Sequence, residues 1–290
     1  MLQVQFIKDN QKKVLEGLAK RNFANANTII DTVLKADENR RKTQVLLDNT
    51  LAELNTLSKE IGLLFKSGQT QKATIVKEKT SLLKEQSKAL TDQLNALSKE
   101  LTDLLYQLPN IPHASVASGK SEDDNEEIFK EGAIPTLHKG SLPHWELVKK
   151  YDIVDFELGT KITGAGFPVY KGKGAKLQRA LINYFLDKNT EAGYKEFQVP
   201  HLINESSGIG TGQLPDKEGQ MYHVGIDDLY LIPTGEVPIT NMFRGNIVNE
   251  GDLPILSTGY TPCFRREAGS YGSHVRGLNR LHQFDKVEIV

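Results

Sequence analysis

Between Thr28 and Leu108 the chain contains no proline and only two glycines, Gly62 and Gly68. In a helix interior proline costs about 3 kcal/mol and glycine about 1 kcal/mol relative to alanine, so a long stretch almost free of both is helix-forming. Its apolar residues recur in steps of four and three. Leu47, Leu51, Leu54, Ser58, Ile61 and Phe65 form one series, and Leu83, Leu90, Leu94, Leu97, Leu101, Leu104 and Leu108 form another, each reading as the a/d seam of a coiled coil. Lys66-Ser67-Gly68-Gln69 separates them, with a glycine where the first helix must stop. Two helices folded back on each other, with Gly68 at the tip, are therefore predicted. Each arm then projects on the order of 55–60 Å, far more than a compact domain needs. Near Asp37, Arg40 and Gln44 polar residues take a/d-like positions, so the base of the hairpin is expected to be looser or to pack on another element.

Leu108-Pro109-Asn110-Ile111-Pro112 ends the second helix, because proline removes a donor and disfavours helix in the residue before it. Residues 118–131 are rich in Ser, Gly, Asp and Glu and read as an exposed linker. Structure resumes near Trp145. Residues 176–189 place Leu177, Leu181 and Phe185 at helical spacing, and residues 194–200 read as a short strand ended by Pro200. Residues 228–233, 255–266 and 280–290 are also strand-like, with turn residues between them. The expected architecture is α+β, an antiparallel coiled-coil hairpin followed by an antiparallel β-sheet domain with flanking helices. The corresponding boundaries are a helical arm over 1–109, a linker over 110–144 and a sheet domain over 145–290.

Length and composition agree with two domains. The chain has 290 residues, 25% charged and 38% hydrophobic, which excludes a low-hydrophobicity disordered chain. No apolar run approaches the ~20 residues of a bilayer span, and the start MLQVQFIKDNQKK lacks the apolar core of a secretory signal. A cytoplasmic address without membrane contact is expected. The single cysteine, Cys263, permits no internal disulfide and no cysteine metal cluster. Residues 1–110 carry 17 Lys+Arg against 13 Asp+Glu, leaving 19 against 24 for the rest. A basic arm on an acidic body fits those counts, and so does a solvated helix surface with a chance excess of lysine.

The chemistry-bearing residues concentrate near the C-terminal end. Phe264-Arg-Arg-Glu-Ala-Gly-Ser-Tyr-Gly272 is followed by Val275-Arg-Gly-Leu-Asn-Arg-Leu-His-Gln-Phe-Asp-Lys-Val-Glu288, which reads as a strand, a Gly/Ser-rich loop and a returning strand. Arginine at a strand end with carboxylates on both strands can grip a phosphate and hold an ammonium group. On residue types alone a hairpin with a charged solvent face is an equal alternative. The order of the residues favours the site. It resembles motif 2 of class II aminoacyl-tRNA synthetases, in the form belonging to the seryl-tRNA synthetase family. Upstream, Leu231-Ile-Pro-Thr-Gly-Glu-Val-Pro-Ile-Thr-Asn241 resembles that family's serine-binding loop, and the helix opening at Gly174 and leading to Val199-Pro200 resembles its motif 1. The leucine hairpin is similar to the family's tRNA-binding arm, so the resemblance spans nearly the whole chain.

The resemblance implies activation of serine by ATP to seryl-adenylate, then transfer of the seryl group to tRNA(Ser), and by the same likeness to tRNA(Sec). It implies that Arg265 is catalytic, holding the α-phosphate as the serine carboxylate attacks in line, and that Arg265, Arg266, Glu267 and Leu281 contact ATP. Thr234, Gly235, Glu236 and Glu288 fall on the serine-binding positions, where a carboxylate can pair with the substrate ammonium and bond its hydroxyl. Mg²⁺ would accompany ATP, ligated largely by the phosphates, with no protein metal ligand assigned. A homodimer and a tRNA with a long variable arm are the implied partners, read partly through basic residues such as Arg40, Arg41, Lys72, Lys77, Lys79, Lys84 and Lys88.

Other residues invite weaker readings. His282 suits a structural or nucleotide-packing role better than a general base, Lys171-Gly-Lys-Gly174 is a turn and not a phosphate loop, and Cys263 is a small buried apolar residue. Two features depart from the family pattern. Gly235 stands where alanine or proline is more usual, and nothing after Val290 supplies the motif 3 arginine that holds the γ-phosphate, so the 290-residue chain by itself is expected to be catalytically impaired. A non-catalytic tRNA-binding paralogue is the alternative function, and a coiled-coil scaffold ranks last because it leaves the ordered residues of 230–288 without a reason.

Overall fold

The computed structural model describes residues 1–267 and 276–290. The Gly/Ser-rich loop expected after Glu267 lies outside the described residues. The chain separates into two units, Met1–Ala133 and Ile134–Val290.

The first unit is helical. Helices α1 (Val4–Asp9) and α2 (Gln11–Lys20) precede α3 (Ala26–Lys66) and α4 (Thr70–Gln107), which form the hairpin. Gly68, at φ +70°, occupies the left-handed conformation that a tight reversal requires. The base of the hairpin is closed by the two short helices: Ile7, Val14 and Leu18 are fully buried with Ile30 and Val33 and pack with Leu101, Leu105 and Leu108. Polar residues at the seam are accommodated by pairing. Asp37 is only 6% exposed, and its carboxylate meets Arg40 at 2.9 Å and Arg41 at 2.6 Å, one turn on in the same helix. Lys79 similarly pairs with Glu53 across the hairpin at 2.7 Å. Three of the basic residues expected to face RNA therefore already have partners within the unit.

The seam of α4 runs through the expected leucines, but that of α3 differs from expectation. Leu47, Leu54 and Ile61 face inward as predicted, whereas Leu51, Ser58 and Phe65 are exposed and Thr50, Leu57 and Leu64 take the alternate positions. Both series keep the four-three rhythm, and leucines at 46, 47, 51, 54, 57, 63 and 64 support more than one phase. Packing against α4 selects between them.

The second unit begins with α5 (His144–Lys150), β1 (Val154–Asp155), α6 (Phe156–Ile162), β2 (Val169–Tyr170) and the longer α7 (Lys173–Glu191). Asp155 caps α6 by accepting the Leu158 N–H at 2.8 Å. There follow β3 (Lys195–Glu196), β4 (Leu202–Ile203), α8 (Glu205–Gly210), β5 (His223–Val224), β6 (Leu229–Leu231), α9 (Glu236–Asn241), β7 (Ser257–Phe264) and β8 (Gln283–Ile289). Strands β7 and β8 pair antiparallel from Thr258 opposite Ile289 to Phe264 opposite Gln283. The short β3 adds to β7 in parallel, a pairing the sequence reading did not contain. A second sheet has the order β4-β6-β5, all antiparallel, over a core of Ile203, Leu214, Met221, Ile232 and Val237.

Helix α7 is tied to the central strands by polar bonds. Gln178 donates to Asp285, Tyr260 donates to the other Asp285 oxygen at 2.6 Å, and Asn189 donates to Thr258 Oγ1 at 2.8 Å. Burial, with the Asp285 bond second, pushes the Tyr260 phenol far above its ordinary pKa. Among the described residues no helix is long and apolar enough to cross a membrane.

Candidate active site

The expected site residues come from three separated segments that the sheets bring together. Strand β6 leads through Ile232 and Pro233 into α9, and in residues 232–239 every residue is buried except Glu236. The Glu236 carboxylate thus faces outward from a run whose other side chains pack into the core. Gly235 makes the crossing close. Its conformation is helical, φ −63°, so no backbone strain selects glycine; a β-carbon there would lie 3.1 Å from Thr261 Oγ1 and 3.6 Å from Glu288 Cβ.

Thr234 is 4% exposed and joins this loop to β8. Its hydroxyl donates to Glu288 Oε2 at 2.6 Å and accepts the Glu236 backbone N–H at 3.2 Å. Lys286, two residues before Glu288 on the same face of β8, also donates to Thr234 Oγ1 at 3.1 Å and pairs with Glu288. Residues 54 positions apart thus share one polar network.

The arginines sit where β7 ends. The Arg265 N–H bonds the His282 carbonyl at 3.0 Å, its Nε donates to the Pro233 carbonyl at 3.2 Å, and its guanidinium lies 5.2 Å from the Phe284 ring centre. Arg265 is therefore anchored on the peptide unit just before Thr234, with its terminal amino groups still able to fork onto a carboxylate or phosphate. Arg266 is held differently. Its N–H and Nε donate to the Gln220 and Met221 carbonyls at 2.9 and 3.1 Å, and its guanidinium lies 4.8 Å from the Tyr222 ring centre. Burial pushes the Tyr222 phenol above its ordinary pKa, an effect that Arg266 opposes. The 216–221 turn that presents those carbonyls closes on Asp216, which accepts from Gln220 N and Met221 N at 2.9 and 2.8 Å. Burial alone would push the Asp216 carboxyl up, but these backbone donors outweigh it and hold it below the ordinary range.

Glu267 adopts φ +48°, unusual for a residue other than glycine, and pairs with Arg280 at 3.6 Å. Leu281 is buried at 6% exposure. His282 accepts or donates one bond with the Tyr222 hydroxyl at 2.6 Å, stacks on Phe167 at 5.2 Å, and fills the space that a side chain at Gly166 would need. Those contacts give it a packing role. Cys263 is fully buried, and burial pushes its thiol up.

Arg265, Thr234 and Glu288 are thus linked through residues 233–236 and the end of β8, so that a guanidinium and two carboxylates lie within one bonded group. Residues 1–112 match the seryl-tRNA synthetase N-terminal domain, and residues 222–290 match the tRNA synthetase class II core domain (G, H, P, S and T). The whole chain aligns with the serine–tRNA ligase of Salinibacter ruber at 47% identity, covering 68% of that protein.

The chain belongs to the seryl-tRNA synthetase family.

Its relatives are ATP-dependent aminoacyl-tRNA ligases. The Hydrogenobaculum serine–tRNA ligase is 48% identical over the full chain, again across 68% of that protein's length. Among solved structures, Pyrococcus horikoshii seryl-tRNA synthetase complexed with ATP superposes with a TM-score of 0.80 at 30% identity, over 100% of this chain and 69% of that one. Within this seryl-tRNA synthetase chain, sequence reasoning did not single out Lys286 or Tyr222. Lys286 stood in plain view on the face of a strand that also carries Glu288; Tyr222 had no motif to mark it.

Proposed function

We propose that the second unit carries the amino-acid activation site and that its residues act in the first step of serine–tRNA ligation. Arg265 binds the serine carboxylate and the α-phosphate it attacks, offsetting the charge that accumulates on the phosphorus oxygens. Its anchorage to Pro233 means that phosphate and amino acid are positioned from one rigid segment. Glu236 receives the substrate ammonium and Glu288 the hydroxyl, while Thr234 and Gly235 shape the floor of the pocket. An amino acid lacking the hydroxyl leaves a half-buried carboxylate unmatched, which is the strong form of discrimination. Arg266, Glu267 and Leu281 line the nucleotide side. Among the described residues no group of three or more His, Cys, Asp and Glu is arranged to hold a metal ion; Mg²⁺ would enter with ATP, ligated largely by its phosphates.

The hairpin of the first unit is the surface for tRNA(Ser) and its long variable arm, within a cytoplasmic homodimer. Support for self-association comes from α7, where Leu177, Leu181, Tyr184 and Phe185 are all between 45% and 55% exposed. Leu181 and Phe185 line a groove of about 450 Å³ whose walls also include Leu281 and Phe284, with Gln178, Asp285 and Lys286 as its polar members. An apolar stripe of this kind marks an interaction site more often than a solvated face.

The observation that carries the activity is the shared network of Thr234, Glu288 and the anchored Arg265. It is tested by serine-dependent exchange of pyrophosphate into ATP, using the full-length product of the gene with the 290-residue chain alongside, and alanine and threonine as controls. Serine-specific exchange is expected. A folded full-length protein that binds ATP but exchanges nothing with serine would overturn the reading in favour of a tRNA-binding paralogue.

A further inference from the structure

A threonine hydroxyl has one hydrogen to donate and two lone pairs to accept with. At Thr234 the hydrogen goes to Glu288 Oε2, and the lone pairs receive the Glu236 N–H and the Lys286 ammonium. In this structure the hydroxyl's donor and both of its lone pairs are used within the protein. The Lys286 ion pair also falls on Oε2. Both bonds therefore load the same oxygen of Glu288, and neither of them uses Oε1. The Glu288 side chain is 16% exposed and that of Lys286 33%, so a substantial part of the carboxylate's hydration has been replaced by these two partners.

We propose that Lys286 is the positioning residue of the serine pocket, its ammonium locking Glu288 and Thr234 into one unit so that Glu288 Oε1 selects the substrate hydroxyl. The proposal rests on reading this cleft as the serine pocket. Without Lys286 the Glu288 carboxylate loses its counter-charge and one of two restraints on its rotation. The pocket then holds two carboxylates against a single substrate ammonium, and a rotated Glu288 no longer distinguishes serine from alanine. Lys286 acts through Glu288 and touches no reacting atom, so the binding of ATP is unaffected.

The test compares wild type, Lys286→Met and Lys286→Arg in the full-length protein by pyrophosphate exchange, with KM and kcat measured for serine and alanine. Lys286→Met is expected to raise the serine KM by about tenfold or more and to lower the serine-over-alanine ratio of kcat/KM by a similar factor, with the KM for ATP unchanged. Lys286→Arg, which retains the charge, should recover most of the discrimination. An equal loss for serine and alanine in Lys286→Met, or no loss for either, would overturn the proposal. If Lys286→Met does not fold, Lys286→Gln set against Lys286→Arg decides on the same ratio. A wild type without serine-dependent exchange would instead refute the serine-pocket reading itself.

Discussion

Thr258 is one of the points at which α7 is fastened to the strand carrying Glu288, another being the bond from Gln178 to Asp285, and replacing it by valine isolates that link. The residue is fully buried. Its hydroxyl accepts from Asn189 Nδ2 at 2.8 Å and donates to the Glu288 carbonyl at 2.7 Å. Valine preserves the shape and β-branching but removes both bonds and leaves the Asn189 amide without its partner in a half-buried place. Each bond contributes a net 0.5–1.5 kcal/mol, so Thr258→Val is expected to destabilise by about 1–3 kcal/mol. For a unit of this size that corresponds to a fall in Tm of about 2–4 °C per kcal/mol. The assay is thermal unfolding followed by tryptophan fluorescence, which reports the second unit because Trp145 is the sole tryptophan. Asn189→Ala and the double variant complete a cycle, in which the double variant should lose less than the sum of the singles by about 0.5 kcal/mol or more. A Tm within 1 °C of wild type for Thr258→Val, or strict additivity, would refute the fastening role.

Three further outcomes are expected. Asp216 has a folded-state pKa below its ordinary 3.8, so the stability it contributes is present at neutral pH and is lost as the pH falls through that range; Asp216→Asn should flatten the decline in stability between about pH 5 and pH 2. Gly235→Ala suits the helical backbone at 235 and gains about 0.4–1 kcal/mol by restricting the unfolded chain, which the 3.1 Å approach to Thr261 offsets; denaturant unfolding should find it within about 1 kcal/mol of wild type, and a loss above about 2 kcal/mol would show that the loop cannot yield. Leu181→Glu with Phe185→Glu places charge on the exposed α7 stripe and should convert a dimer to monomer in sedimentation velocity, whereas an unchanged dimer would place the interface elsewhere.

The features legible in the sequence were those with strong local causes. The absence of proline from 28–108, Gly68 at the reversal and the Leu108-Pro109 stop each act within a turn of helix, and α3 and α4 end within about two residues of where those signals put them. The phase of the α3 seam was not legible. Leu51 and Thr50 are neighbours on the helix surface, and only the partner helix decides which of them it covers. The base of the hairpin was hidden for the same reason: the polar positions around Asp37 are resolved by arginines one turn on and by two short helices beneath them. In the second unit the long strands β7 and β8 were evident from their runs of strand-forming residues, while β3 has just two residues and exists through its parallel contact with β7.

The site divides along the same line. Arg265, Glu236 and Glu288 were visible because their order along the chain is distinctive, yet order says nothing about which groups are already satisfied. Thr234 shows the difference. Its place in the chain marks it as a serine-binding position, and only the structure adds its three bonds to Glu288, Glu236 and Lys286. Arg266 likewise reads as an ATP contact, but its Nε is bound to Met221 and its guanidinium lies against Tyr222, which restricts what it can offer a nucleotide to its remaining donors. Preorganisation of this kind places the selective burden on the few groups the protein leaves unpaired. On the proposed reading of the site, those would be the Glu236 carboxylate, the second oxygen of Glu288 and the outer fork of Arg265, one for each of the ammonium, hydroxyl and carboxylate of serine.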